Sequence, residues 1–416
     1  MSRYIIEGGK RLEGEIAVQG AKNAVLPILA ATVLNGGKNV IHNCPRLRDV
    51  EKTVSVLEGL GCKALPLGST LVVDSSTLGD CRIEEALMRQ MRSSIIFLGA
   101  IIGRTGEAVV SMPGGCEIGA RPIDLHLKAL KQLGITISES HGYIYCRADK
   151  LQGTDIHLDF PSVGATENIM LAAVCADGTT TIINAAREPE IVDLQHFLNR
   201  MGAKVSGAGE SIIRIDGVKH LYGVDHTIIP DRIAAATYLA CGAATGGNII
   251  LKNAVPGHMD AILSVLRQMG VKILVRGDII ELQAPHRLRA VEKIRTMPHP
   301  GFPTDIQSPF MSLCAVADGT SVICETIFEN RFQNAEELNR MGANIKIDGR
   351  TAVIIGTDRL YGANVVAREL RGGASLIVAG LAAAGTTVIE NTEYIDRGYE
   401  AIEKYLSACG ASIRRE

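Results

Sequence analysis

The stretch Gly164–Gly202, GATENIMLAAVCADGTTTIINAAREPEIVDLQHFLNRMG, shows the unit from which the whole chain is built. Its first part, NIMLAAVCA, is apolar nearly all round, and a helix apolar on every side is buried on every side. Gly178 then opens a β-rich run, GTTTIINA. Asp193–Arg200 follows as an amphipathic helix with one face for solvent or sheet, and Met201-Gly202 closes it, glycine being the usual residue just past a helix end.

Both signatures recur in register. The closing glycines are Gly61, Gly134, Gly202, Gly270, Gly342 and Gly410, spaced 73, 68, 68, 72 and 68 residues apart. The β-rich run recurs as GKNVIHN from Gly37, GNIILKNA from Gly247, GTSVICET from Gly319 and GTTVIENT from Gly385, and more loosely as EAVVSM after Gly106. The all-apolar helix recurs as AVLPILAATVL, SSIIFLGAII, IAAATYLACGAA, PFMSLCAVA and ASLIVAGLAAA. Each unit reads strand, helix, strand, helix, strand, with a further strand after the closing glycine. Six fully buried helices rich in alanine and glycine predict an α/β protein with helices inside and sheets outside, most economically as two domains of three units.

The bulk properties narrow the function. A chain of 416 residues that is 46% hydrophobic buries large cores, and a formal net charge of -2 gives no global field to attract nucleic acid or an anionic membrane. The start, MSRYIIEGGKRLEGE, lacks the apolar core of a signal peptide, and the longest apolar stretches, such as Ala374–Ala384, are too short to cross a bilayer. A soluble, cytosolic protein is expected. Ten cysteines without a CxxC pair, several in apolar runs (Cys175, Cys241, Cys314), fit buried thiols in a reducing compartment. No metal site is assigned.

One cysteine stands apart. In Ser111–His126, SMPGGCEIGARPIDLH, Cys116 lies on a glycine-rich loop, and Arg121 and Pro122 lead into a helix carrying Ile123, Leu127, Leu130 and Leu133. A thiol and an arginine near a helix N-terminus suit an anionic ligand, although the loop alone also reads as a glycine-rich turn holding a small hydrophobe, the commoner place for a free cysteine.

The heads of the six buried helices give a second clue. Counted back from the following glycine, one position, give or take a residue, carries Lys22 (with Asn23), Arg92, Gly164, Arg232, Asp305 and Arg371. Four of the six are cationic where the helix dipole disfavours a cation unless an anion joins it. Asp231 is placed to neutralise Arg232, and Asp305 reads either as an N-cap or as a functional carboxylate. The set predicts an anion-binding cleft where the two domains face each other.

The motifs AVQGAKNAVLP, MPGGCEIGARPIDLH, PSVGATENIM, AREPEIVDL, PHPGFPTDIQSPF, FENRF and IDRGYEAIE together resemble the UDP-N-acetylglucosamine enolpyruvyl transferase family, within the EPSP synthase-like superfamily, essentially end to end. The resemblance implies two inside-out α/β barrel domains of three βαβαββ units each, one spanning 22–229 and the other 1–21 with 230–416. It implies transfer of the enolpyruvyl group of phosphoenolpyruvate to the 3′-hydroxyl of UDP-N-acetylglucosamine, with release of phosphate, in the first committed step of peptidoglycan synthesis. Cys116 matches the family's general acid, which also forms a covalent adduct with phosphoenolpyruvate, and Asp305 the carboxylate at the attacking hydroxyl. Lys22, Arg121 and Arg397 match the phosphate and carboxylate clamp, with Asn23, Arg92, Arg331 and Arg371 beside it. The nucleotide-sugar site is matched by Asn23, Arg92, Arg121, Pro122, Ile123, Asp124, Leu125, Ser162, Val163, Gly164, Asp305 and Ile327. No cofactor or metal is implied beyond the thiol adduct, and the partners are the two small substrates, with no nucleic acid or membrane.

Two positions depart from the family pattern. Phe160 stands where some members carry lysine, which favours stacking on the uracil, and Glu369 stands where aspartate often precedes Leu370-Arg371. Two rival readings are a shikimate-3-phosphate enolpyruvyl transferase, which is not expected to use a thiol, and a catalytically idle nucleotide-sugar-binding paralogue, against which Lys22, Cys116, Asp305 and Arg397 all speak.

Overall fold

The computed structural model describes residues 2–90, 92–112 and 123–416, without the side chains of residues 89, 90, 92 and 93. Contacts divide the described chain into two compact units, one of residues 2–19 and 230–416, the other of residues 20–112 and 123–229. The first crossing thus follows Gln19, where the sequence reading put it after residue 21, and the second follows Ile229.

Each unit has its own core around three inner helices. In the first these are Arg232–Ala244, Thr304–Ala315 and Leu370–Ala382, packed on one another. In the second they are Lys22–Ala31, Phe97–Thr105 and Val163–Ala173, with Phe97–Thr105 packed on both others. Burial is as complete as the sequences demand, since only Ala244 of the 13 residues in Arg232–Ala244 is not buried. Amphipathic helices such as Pro189–Arg200 and Asp260–Gln268 bury one side only.

The sheets repeat as well. In Asp155–His157, Thr179–Ile183, Ile212–Asp216 and Lys204–Ser206, the leading strand runs parallel to the strand after the inner helix, and an antiparallel hairpin completes the sheet. At the two crossings the leading strands are exchanged. Glu13–Ala17 precedes the inner helix Lys22–Ala31 in sequence but pairs with Asn248–Lys252 of the first unit, while Asp225–Thr227 pairs with Lys38–His42 of the second.

Two copies depart from the expected βαβαββ pattern. Among the described residues the second has no leading strand, only an isolated bridge between Arg82 and Val109, and its sheet has three strands. Its inner segment also begins as a 3₁₀ turn, Arg92–Ile96, before becoming α-helical at Phe97. In the sixth copy Tyr4–Glu7, from the other end of the chain, fills the place between Thr386–Glu390 and Ser412–Arg415.

Backbone stereochemistry explains why the repeat is visible at all. The six closing glycines all have φ between +88° and +100°, a left-handed conformation that side chains resist. Asn43, Asn184 and Asn253, at the ends of the β-rich runs, are left-handed too, with φ of 52–60°. Their side-chain amides donate to the carbonyls of Ile228, Leu158 and Val18 at 2.8–3.1 Å, each tying down the end of a leading strand.

Helix packing in the second unit turns on Asn168. Its Oδ1 accepts from Gly99 N at 2.7 Å and its Nδ2 donates to Ile95 O at 2.9 Å. A Cβ at residue 99 would lie 2.2 Å from the Asn168 carbonyl oxygen, so only glycine permits this approach. Gly99→Ala should cost about 1–3 kcal/mol in urea unfolding. Gly37→Ala, where a Cβ meets nothing within 4 Å, should stay within about 0.5 kcal/mol.

Glu167 lies on the same buried helix and is 5% exposed. Burial first, then Glu190 and Glu188, push its pKa well above the ordinary carboxyl value. The unfolded chain releases this proton near pH ~4.3 while the folded chain keeps it, so stability falls as pH rises above that point until the folded group also ionises. Glu167→Gln should remove this slope. The variant should match the parent near pH 4 and exceed it by about 1–3 kcal/mol at pH 8 in denaturant titrations.

Candidate active site

In the first unit the candidate residues gather around the head of Thr304–Ala315. Asp305 is not the N-cap, since the cap is Pro303 and no side chain caps this helix. Its two oxygens instead meet two buried arginines, Arg331 Nη2 at 2.9 Å on Oδ1 and Arg371 Nη2 at 3.1 Å on Oδ2. Arg331 is 3% exposed and Arg371 2%, whereas the Asp305 side chain keeps 26% of its surface. The carboxylate therefore faces outward from a guanidinium cradle. Burial opposes the charge of Arg371, but Tyr399, Asp305 and Asp231 outweigh it and raise its pKa above the usual arginine value. Arg331 also lies over the Phe328 ring, 5.5 Å from its centroid, and its buried Nε has no hydrogen-bond acceptor among the described residues.

Neighbouring carboxylates hold the frame. Glu369 is the N-cap of Leu370–Ala382 and accepts from Arg371 N at 2.8 Å and from Gly372 N.

 Its side chain is one methylene longer than that of aspartate, and its carboxylate closes over both amides of the first turn. Asp231 likewise caps Arg232–Ala244, accepting from Ile233 N at 2.8 Å and Ala234 N at 3.0 Å. Glu325, 1% exposed, receives Ile327 N at 2.8 Å and Phe328 N at 3.2 Å, and also the hydroxyls of Thr296 and Thr304, both at 2.9 Å. It thereby fixes Ile327 to the start of the helix that carries Asp305. Arg397 ends the 3₁₀ segment Thr392–Arg397 and is half-buried. That segment approaches the inner helix because Gly373 has no Cβ, which would fall 2.6 Å from Ile395 Cγ1.

In the second unit Lys22 opens the helix Lys22–Ala31, and its Nζ lies 2.8 Å from Asp49 Oδ2, with the two side chains 12% and 1% exposed. Asp49 sits in the first turn of Arg48–Gly59 and supplies the anion that a cation at a helix N-terminus needs. Asn23 is half-buried beside it. Ser162 caps Val163–Ala173, its Oγ accepting from Ala165 N at 3.3 Å. Gly164 lets the His126 ring approach, since a Cβ there would lie 3.0 Å from His126 Cε1. Asn168 Nδ2 lies 2.7 Å from His126 Nδ1, so the start of Asp124–Gln132 is held against the start of Val163–Ala173. The structure thus brings Ile123, Asp124 and Leu125 near Ser162, Val163 and Gly164, with Phe160 close by in sequence and 42% exposed.

Cys116, Arg121 and Pro122 lie outside the described residues, as does the side chain of Arg92. Among the described cysteines, burial pushes the thiols of Cys62, Cys175 and Cys314 up to about 11 and that of Cys146 to about 12, so these stay protonated and unreactive. Among the described residues no three His, Cys, Asp or Glu side chains are grouped to hold a metal ion, and no helix is long and apolar enough to cross a membrane.

Sequence reasoning missed Asp49, Glu325 and Tyr399. Glu325 carries a legible signal, because it occupies the place that Asn184 holds in its own repeat and so breaks the pattern. Asp49 and Tyr399 carry none, since their partners are fixed only by packing between helices.

The profile of the EPSP synthase family (3-phosphoshikimate 1-carboxyvinyltransferase) matches residues 6–406. A UDP-N-acetylglucosamine 1-carboxyvinyltransferase 2 of Caldanaerobacter subterraneus subsp. tengcongensis is 54% identical over 415 residues, covering 100% of both chains. A UDP-N-acetylglucosamine 1-carboxyvinyltransferase 1 of Symbiobacterium thermophilum is 53% identical, covering 99% of this chain and 95% of that one, and a relative of that enzyme name in Geobacter metallireducens is 49% identical over 100% and 99%. Among solved structures, the enolpyruvyl transferase NikO from Streptomyces tendae superimposes with a TM-score of 0.89 at 25% identity, covering 100% of this chain and 98% of that one. An EPSP synthase from Acinetobacter baumannii, at 19% identity and a TM-score of 0.76 over 100% of both chains, shares the fold. With its profile matched from residue 6 to residue 406 and relatives about half identical along its whole length, the chain belongs to the EPSP synthase family of carboxyvinyl transferases.

Proposed function

We propose that this enzyme transfers the enolpyruvyl group of phosphoenolpyruvate to the 3′-hydroxyl of UDP-N-acetylglucosamine and releases phosphate, as the first committed step of peptidoglycan synthesis in the cytoplasm. The observation that carries this reading is the full-length identity of 49–54% to enzymes named for that acceptor. The shikimate-3-phosphate reading has only the family profile and a fold shared at 19% identity behind it.

The chemistry proceeds by addition and elimination. The sugar oxygen bonds to C2 of phosphoenolpyruvate while its hydroxyl proton passes to a base and the C3 methylene gains a proton. Elimination then removes a proton from C3, breaks the C2–O bond to phosphate and leaves the enol ether. Asp305 is the carboxylate assigned to the sugar hydroxyl, and its outward-facing oxygens suit that role. Cys116 is assigned to the C3 proton, its thiol can also form a covalent adduct with phosphoenolpyruvate, and the reaction calls for no cofactor or metal. Lys22, Arg121, Arg331, Arg371 and Arg397 are assigned to the phosphate and carboxylate of phosphoenolpyruvate, where charge-assisted bonds offset the charge of the intermediate. The orphan Nε of Arg331 supports this assignment, because a buried donor without an acceptor is costly until a ligand supplies one. The paired segments Ile123–Leu125 and Ser162–Gly164, with Asn23, Arg92, Pro122 and Ile327, are assigned to the nucleotide sugar.

Phosphate release from phosphoenolpyruvate should require UDP-N-acetylglucosamine and should not occur with shikimate 3-phosphate. The opposite preference would overturn the assignment. If Cys116 mainly delivers a proton, Cys116→Asp retains turnover with its optimum moved to lower pH, because an aspartate of ordinary pKa ~3.9 must be protonated to donate. Cys116→Ser should be nearly inactive. The epoxide fosfomycin should inactivate the parent and spare Cys116→Asp. Wild-type turnover in Cys116→Ser, or inactivation of Cys116→Asp, would remove the proposed role, and pH–rate profiles with and without the epoxide decide it.

A further inference from the structure

Arg371 is 2% exposed and must find its hydrogen-bond acceptors inside the protein. One is Asp305, through Nη2, and the other is the hydroxyl of Tyr399, 3.2 Å from Nη1. Tyr399 is itself 1% exposed, and its oxygen lies 2.8 Å from Thr237 Oγ1. Thr237 donates its own proton to Ile233 O at 2.9 Å, one helical turn back.

These contacts fix the direction of every proton. A guanidinium only donates, so the Tyr399 oxygen accepts from Arg371. The Thr237 proton is already committed to Ile233, so the Tyr399 proton points to Thr237 Oγ1. Burial raises the Tyr399 phenol above its usual value despite the nearby Arg371, so the ring stays neutral and keeps that proton. The chain of donors runs from Arg371 to Tyr399 to Thr237 and ends on the carbonyl of an inner helix.

The backbone around Tyr399 is held as firmly. Gln19 is 7% exposed; its Nε2 donates to Gly398 O at 3.3 Å and its Oε1 accepts from Glu400 N at 2.9 Å. One amide therefore brackets Tyr399 on both sides. The Arg371 guanidinium carbon also lies 5.5 Å from the Tyr399 ring centroid, which limits tilting of the guanidinium plane.

We infer that Tyr399 is a positioning residue whose hydroxyl, aimed by Thr237, fixes the Arg371 guanidinium so that its other nitrogen stays on Asp305 and its charge stays available to an anion. Without the hydroxyl Arg371 keeps one side-chain acceptor among the described residues, Asp305, about which it can pivot. The inference rests on the assignment of Arg371 to phosphoenolpyruvate.

The test compares Tyr399→Phe, Thr237→Val and Thr237→Ser with the parent in steady-state kinetics, and measures inorganic phosphate binding by calorimetry. Tyr399→Phe should raise the KM for phosphoenolpyruvate and the Kd for phosphate about tenfold, with the KM for UDP-N-acetylglucosamine within about twofold of the parent. Thr237→Val should move the same constants in the same direction, and Thr237→Ser should restore them, because only the hydroxyl is needed. A folded Tyr399→Phe with unchanged phosphate affinity, an equal rise in both KM values, or a Thr237→Ser no better than Thr237→Val would overturn the inference. A parent inert with this substrate pair would count against the proposed function, while the phosphate titration would still decide the role of Tyr399.

Discussion

A helix buried on every side meets water, or a ligand, only at its ends. Six such helices form the centres of the two units, and the N-terminal end of each concentrates unpaired N–H groups and positive potential. Any cation placed there must be matched within the protein. Lys22 is matched by Asp49, and Arg371 by Asp305 and Tyr399. Asp231 and Glu369 take the backbone amides of their own helices. The polar architecture of the molecule follows from this constraint, because the side chains that settle the helix ends are also those proposed to meet phosphoenolpyruvate and the sugar.

The Asp305 cradle shows how firmly side chains at such a helix end hold one another. A single carboxylate receives one guanidinium on each oxygen, and both guanidinium groups are almost wholly buried. Breaking a buried ion pair by removing one partner is far costlier than the pair is stabilising, so these three side chains constrain one another strongly. The carboxylate remains partly open to the outside, and an orphan Arg331 N–H lies within the cradle. An anion arriving there would find donors already aligned, with little reorganisation left to make.

Much of this was legible in the sequence, for identifiable reasons. The closing glycines adopt φ values that other residues resist, so the repeat could not drift at those positions. The inner helices are apolar all round because nothing but protein surrounds them. The second copy was misread as a full unit because the bridge at Arg82 never extends into a strand and its inner helix begins with a 3₁₀ turn, neither of which the hydrophobic pattern reports. Asp305 was recognised as a candidate, but its arginine partners lie 26 and 66 residues away and are brought to it only by packing. Tyr399 was hidden in the same way, because its hydroxyl gains meaning only beside Thr237, 162 residues earlier.

The reading of the whole molecule rests on one covalent outcome, an enol ether on the 3′-oxygen of the nucleotide sugar. Carbon NMR of the product, with phosphoenolpyruvate labelled at C2 and UDP-N-acetylglucosamine as acceptor, observes that bond directly. The labelled vinyl carbon should become coupled through oxygen to C3 of the sugar, and an acceptor lacking the 3′-hydroxyl should give no product. Attachment at any other position, or unchanged turnover of the deoxy acceptor, would contradict that reading.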